Sequence, residues 1–128
     1  MSGSPQILLM DDDQEILNIG KMFFDMLGFG VDCVTNGHAA VEAYGRALRD
    51  RNPFGLVVLD LNIYGGMGGR EALQKLQGLD PEVRAVVTSG DGSDPAMVDY
   101  QGHGFVAALA KPFDFQLFQK IVEEQLKR

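Results

Sequence analysis

Five short apolar runs punctuate the chain: Ile7–Met10, Val31–Val34, Leu56–Leu59, Ala85–Val87 and Val106–Ala110. Each is too short for a helix, and most are rich in Val, Ile or Leu without polar alternation. That is the pattern of strands buried on both faces. Between them, apolar positions recur at helical spacing. Ile16, Ile19, Phe23, Met26 and Leu27 predict a first helix, stopped by Gly28. Val41, Tyr44 and Leu48 mark a second, ended by Asn52-Pro53. Leu73 and Leu76 mark a short third, Met97, Val98 and Tyr100 a weaker fourth after Pro95, and Phe118, Ile121, Val122 and Leu126 the last. Such an alternation predicts βαβ units around a parallel sheet, with right-handed crossovers placing helices on both faces.

The length of 128 residues suits one compact domain. The opening Met1-Ser2-Gly3-Ser4-Pro5 lacks the basic residues and apolar stretch of a secretory signal, and is expected to be a flexible lead-in. No apolar run approaches the ~20 residues that cross a bilayer. Direct membrane contact is therefore not expected, and a cytoplasmic setting is the simplest reading. The single cysteine, Cys33, excludes an internal disulfide and reads as a small hydrophobe in a strand. A formal charge of −7 argues against nucleic acid as a partner, because phosphate backbones require a basic face. It suits a site that holds a cation, although excess acid also serves solubility.

Where the acids fall separates those readings. Ligands of open α/β sheets bind outside the carboxyl ends of the strands. Asp11, Asp12 and Asp13 follow the first run, Asp60 ends the third, Thr88 and Ser89 end the fourth, and Lys111-Pro112 follows the fifth. Two carboxylates about 4 Å apart repel by roughly 1 kcal/mol in water, and by about 4 kcal/mol at an effective dielectric near 20. Gathering Asp11, Asp12 and Asp60 therefore calls for a cation or a raised pKa. An all-oxygen set without His or Cys suits a hard ion, Mg²⁺ first, with Mn²⁺ as a substitute. Asp13 is expected only to cap the first helix.

A carboxylate at the end of a buried strand can attack phosphorus and form an acyl phosphate. Asp60 is the candidate. Transfer then depends on positioning and charge neutralisation. Lys111 would supply a point charge and Ser89 a hydroxyl hydrogen bond to the phosphoryl oxygens. Taken singly, a strand-end Asp is often a turn residue and a Lys-Pro merely a loop. Their coincidence on neighbouring strand ends is what carries weight.

Four stretches resemble the receiver domains of two-component response regulators. They are Ile-Leu-Leu-Met-Asp-Asp-Asp at 7–13, Val-Val-Leu-Asp-Leu-Asn at 57–62, Val-Val-Thr-Ser-Gly at 86–90 and Ala-Lys-Pro-Phe at 110–113. The resemblance spans nearly the whole chain and implies one receiver domain over 6–128. It implies a flavodoxin-like (βα)₅ fold with a doubly wound parallel sheet in the order 2-1-3-4-5. It also implies phosphoacceptor Asp60, a metal site from Asp11, Asp12, Asp60 and the backbone carbonyl of Asn62, switch hydroxyl Ser89, and phosphate-sensing Lys111. Further implications are a cis bond before Pro112 and phosphoryl lifetime tuned by Asn62 and Asp91. The donor would be a phosphohistidine on a histidine kinase or a histidine phosphotransfer domain. Such a domain catalyses its own phosphorylation and hydrolysis but turns over no separate substrate. The run Tyr64-Gly65-Gly66-Met67-Gly68-Gly69, with Ser89-Gly90-Asp91 and Asp94-Pro95, resembles receivers at the C-terminal end of hybrid sensor histidine kinases. Two copies could associate through the last strand and helix, a point that the sequence does not decide.

Three departures from the family pattern stand out. Tyr64 replaces the usual proline four residues after the acceptor, and the glycine loop is one residue longer. Ala108 stands where many receivers carry Tyr or Phe, so an aromatic toggle is not available and output must use another element, such as the segment after Ser89. The Gly65–Gly69 loop lacks the Gly-Lys-Ser/Thr ending of a P-loop and reads as a flexible turn. His38, His103, Asp50, Glu123 and Glu124 read as solvated. Two other functions compete. A haloacid-dehalogenase-like phosphatase would use Asp11 of an Asp-x-Asp motif as nucleophile, but Glu15 replaces its usual Thr or Val and no late acid pair follows Lys111. A degenerate receiver would bind partners unphosphorylated, but such domains usually lose the acids or the lysine, all kept here. A flavodoxin's flavin phosphate would be repelled by the acidic first loop.

Overall fold

The computed structural model describes residues 5–127, so the expected lead-in falls outside it except for Pro5. Strands and helices alternate as β1 (Gln6–Met10), α1 (Gln14–Leu27), β2 (Gly30–Val34), α2 (Gly37–Arg49), β3 (Phe54–Asp60), α3 (Gly69–Leu79), β4 (Ala85–Ser89), α4 (Pro95–Val98), β5 (Ala107–Ala110) and α5 (Phe115–Gln125). All the strand pairs are parallel, and the sheet runs β2-β1-β3-β4-β5. This is the flavodoxin-like α/β order that the resemblance to receivers implies.

Successive strand side chains point to opposite faces, and here each face has its own apolar layer. Leu8, Met10, Val57, Leu59 and Val87 pack with Ala40 and Tyr44 of α2 and with Leu73 and Leu76 of α3. Ile7, Leu9, Leu56, Val58 and Val86 pack with Leu17 and Phe24 of α1 and with Phe118 and Val122 of α5. Phe24 and Phe118 meet edge-on at 4.7 Å. With both faces dry, the central strands have no polar alternation to show.

Every helix but α3, whose N-cap is Gly68, starts where a short polar side chain takes up a free backbone N–H. Asp13 accepts from the Glu15 N–H at 2.9 Å, Asn36 from Ala39 at 2.9 Å and Asp114 from Leu117 at 3.0 Å. At the far end of α1, Gly28 takes φ 87°, and its N–H turns back onto the Asp25 carbonyl.

Three elements differ from expectation. β2 is not buried on both faces: it is an edge strand whose Gly30, Asp32 and Cys33 are exposed. Cys33 is thus an exposed thiol and not a packed hydrophobe. α2 ends at Arg49, before Asn52-Pro53, through Arg51 at φ 58°. The fourth helix shrinks to the single turn α4, followed by a 3₁₀ turn at Gln101–His103. Val98, predicted on its apolar face, is 71% exposed, whereas Met97 is buried. Gly102 and Gly104 close behind it disfavour continuation, and Gly104 takes φ 90°.

Candidate functional site

The carboxyl ends of β1, β3, β4 and β5 converge on one edge of the sheet. Asp11 follows β1 directly and is held by its own N–H, which donates to the Val34 carbonyl at 3.1 Å. Asp60 is the last residue of β3 and Ser89 the last of β4. The Lys111 N–H donates to the Ser89 carbonyl at 2.9 Å, and the Lys111-Pro112 bond is cis. Asp11, Asp60 and Ser89 are buried, an arrangement polar groups tolerate only when partnered.

Their partners are specific. Lys111 Nζ donates to Asp11 Oδ2 at 3.0 Å and lies 3.1 Å from Asp60 Oδ2. The second oxygen of each carboxylate takes a backbone N–H: Asp13 donates to Asp11 Oδ1 at 2.9 Å and Asn62 to Asp60 Oδ1 at 3.1 Å. Asp12 is exposed, and its Oδ2 accepts from the Tyr64 N–H at 2.9 Å. Asp11, Asp12 and Asp60 each bring one carboxylate oxygen to within 4.8 Å of the others. Three carboxylates so close, with an oxygen-only donor set, match the needs of a hard divalent ion.

Charge and burial set the titration. Burial pushes the Asp60 carboxyl above the ordinary carboxylate range. The Asn62 N–H works against that rise, the Asp11 charge adds to it, and Lys111 opposes it. For Lys111, burial works to lower the ammonium's pKa. Its hydrogen bond to Asp11 and the charges of Asp60 and Asp11 outweigh that, and the pKa is raised. The lysine is therefore a fixed cation between two acids.

The segment after Ser89 folds onto itself. Ser89 Oγ accepts from the Asp91 N–H at 3.0 Å, which leaves its O–H hydrogen free to donate. Asp91 Oδ1 in turn accepts from the N–H and Oγ–H of Ser93. Asp94 caps α4 through Ala96 and takes the Arg70 guanidinium at 2.6 Å. Ala108 is half-buried against the same apolar layer as Tyr100.

The end of the glycine loop is closely packed, while a Cβ on Gly65 would meet nothing within 4 Å. A Cβ on Gly68 would run into the Leu61 carbonyl oxygen, and one on Gly69 would stand 2.8 Å from the Asp60 carbonyl oxygen. These glycines let the start of α3 lie against the backbone that carries the acceptor candidate. Two contacts here escaped the sequence: the Tyr64 amide on Asp12 and the Arg70–Asp94 pair. The first is made by a backbone group, whose only sequence signal is that residue 64 is not proline. The second joins residues 24 apart whose meeting depends on the tertiary fold.

Residues 7–123 match the profile of the response regulator receiver domain. The chain belongs to that family, as a receiver domain of two-component signalling. It is 29% identical over 122 residues to the transcription factor SKN7 of Chaetomium thermophilum, covering 95% of this chain but only 15% of that protein. It is 26% identical to sporulation initiation phosphotransferase F of Bacillus subtilis, covering 94% of this chain and 93% of the relative. In structure it is similar to the receiver domain of the sensor histidine kinase PA1611 of Pseudomonas aeruginosa, solved with a magnesium ion coordinated in the active-site cleft. The TM-score is 0.84 at 19% identity, covering 98% of this chain and 100% of that one. No helix among the described residues is long and apolar enough to cross a membrane.

Proposed function

We propose that Asp60 is the phosphoacceptor of this receiver domain and that the acidic pocket around it works with Mg²⁺, Mn²⁺ being able to substitute. The observation that carries the reading is the Lys111 ammonium lying 3.0 Å from Asp11 and 3.1 Å from Asp60 at the carboxyl edge of the sheet. It sets a permanent cation beside a strand-end nucleophile in a pocket otherwise short of positive charge.

Asp11, Asp12, Asp60 and the Asn62 carbonyl would hold the metal, which supplies neutralisation of negative charge in the pocket. The Asp60 carboxylate oxygen attacks the phosphorus of a phosphohistidine. An O–P bond forms as the P–N bond breaks, and the departing imidazole leaves with the electron pair and takes up a proton. Lys111 stays protonated and balances charge on the incoming phosphoryl oxygens. Ser89 donates its free hydroxyl hydrogen to one of them, drawing the Ser89–Asp94 segment with it. With Ala108 in place of an aromatic residue, that segment carries the conformational output. Asn62 and Asp91 flank the acceptor and the hydroxyl, where they control water's approach and so the phosphoryl lifetime.

The donor is a histidine kinase or a histidine phosphotransfer domain. The receiver acts within a longer kinase or alone, on the cytoplasmic side. Intact mass after incubation with a small acyl phosphate or phosphoramidate tests the assignment. A single phosphoryl adduct that needs both Mg²⁺ and Asp60 supports it. An adduct that persists in Asp60→Asn would transfer the role to Asp11, and no adduct would leave an unphosphorylated binding module.

A further inference from the structure

The three clustered carboxylates are not treated alike. Asp11 and Asp60 share the Lys111 ammonium and each takes a further backbone N–H. Among the described residues, Asp12 makes no ion pair; its partner is the Tyr64 N–H at 2.9 Å. The Tyr64 ring is 97% exposed, so the side chain does not anchor this loop. The loop is anchored on both sides of the amide by other means. Before it, the Leu61 N–H donates to the Thr88 carbonyl at 3.0 Å; beyond it, the Met67 carbonyl accepts from the Gly37 N–H at 2.9 Å and Gly68 lies against the Leu61 carbonyl. The amide is therefore delivered to Asp12 by a backbone fixed elsewhere.

We infer that the backbone N–H of Tyr64 is a positioning group for the metal site, holding Asp12 Oδ2 so that the carboxylate is set for a divalent cation before the cation arrives. The inference rests on the metal-binding reading above. Hydrogen bonds from N–H to a carboxylate are stronger than neutral ones, and groups that orient a metal's ligands typically govern affinity by about 10- to 100-fold. The bond and the 4.8 Å carboxylate cluster exist together in this structure. The amide is thus in place while the three carboxylates are gathered. It also relieves repulsion on the one carboxylate that Lys111 does not reach. A proline at position 64, the residue usual there in the family, has no N–H to offer.

The test is calorimetric titration of the whole chain with MgCl₂. Tyr64→Ala keeps the amide and removes the ring; Tyr64→Pro removes both. A semisynthetic chain with an ester in place of the amide nitrogen of residue 64 removes only the N–H. We expect Tyr64→Ala to bind Mg²⁺ as the native chain does, with the ester and Tyr64→Pro about tenfold weaker. An ester chain that binds as tightly as the native one overturns the inference, as does a Tyr64→Ala loss equal to that of the ester. Asp12→Asn separates this from failure of the underlying reading. If the native chain gives no Mg²⁺ binding, or if Asp12→Asn leaves it unchanged, the metal assignment of Asp12 falls, and the inference with it.

Discussion

Nζ of Lys111 lies 3.1 Å from Oδ2 of Asp60, a cation from the end of β5 set against a carboxylate from the end of β3, with β4 between them. Because the same ammonium reaches Asp11 at 3.0 Å, one side chain compensates two buried acids. Removing one partner of a buried pair is costly, since the charge left behind has no relief. Lys111→Met should lose about 3 kcal/mol of stability at neutral pH without metal. The loss should shrink as the pH falls, because Asp60, its pKa already raised by burial, protonates early. Urea denaturation at pH 7 and pH 5 measures both; equal losses at the two values would contradict the account.

Asp60 itself should weaken the fold. Its folded-state pKa lies above the ordinary one, so its contribution to stability is full below the unfolded carboxylate pKa and is lost as pH rises through the folded value. At neutral pH the ionised side chain is a net cost. Because Lys111 keeps its pair with Asp11 at 3.0 Å, Asp60→Asn should raise stability at pH 7 in metal-free buffer by on the order of 1 kcal/mol, the price of a reactive group in a dry site. The gain should fade toward pH 4. Thermal unfolding across that range checks it.

Magnesium should reverse the ranking. A ligand at about 100 times its Kd stabilises the native state by roughly 2.7 kcal/mol. The native chain should therefore melt higher with Mg²⁺, and Asp60→Asn should respond far less. Equal shifts in both would remove Asp60 from the metal site.

Away from the site, the Tyr44 hydroxyl of α2 donates to Oδ2 of Asp80, at the C-terminal end of α3, at 2.6 Å. Burial, then the Asp80 hydrogen bond and charge, push the phenol's pKa well above its usual value. This contact is fully present below the unfolded tyrosine pKa of about 10 and is lost as pH rises through the folded value. Tyr44→Phe should cost about 1–2 kcal/mol at neutral pH and make the alkaline fall in stability shallower. Denaturant melts between pH 8 and pH 11 would show it.

The glycines of α3 should separate by position. A Cβ at Gly69 would stand 2.8 Å from the Asp60 carbonyl oxygen, whereas one at Gly78 meets nothing within 4 Å. Gly69→Ala should destabilise by about 1–3 kcal/mol and weaken Mg²⁺ binding by displacing the acceptor strand. Gly78→Ala should stabilise by about 0.5–1 kcal/mol, as helix propensity dictates. Chemical denaturation of the two variants, with Mg²⁺ titration of the first, reads both.

The central architecture was legible because burial writes itself into local sequence. Ile7–Met10 and Leu56–Leu59 are apolar at every position since both faces of those strands are covered. The chemistry sits at the strand ends, so the positions of Asp11, Asp60, Ser89 and Lys111 could be named from where the apolar runs stop. What the sequence could not supply depends on neighbours distant in the chain. The exposure of β2 follows from its place at the sheet edge, which the apolar run Val31–Val34 does not reveal. Gly68 and Gly69 read as flexible, but close packing on the Asp60 and Leu61 backbone is what requires them. The Tyr64 amide on Asp12 spans 52 residues and involves no side chain of Tyr64. Sequence by itself determined the strands and the chemical inventory, because periodicity and residue type are local properties; the strand order came from the resemblance to receivers and was borne out by the sheet. Only the tertiary structure decided which oxygen meets which donor, because hydrogen bonds depend on distances of a few ångströms between chain segments that folding alone brings together.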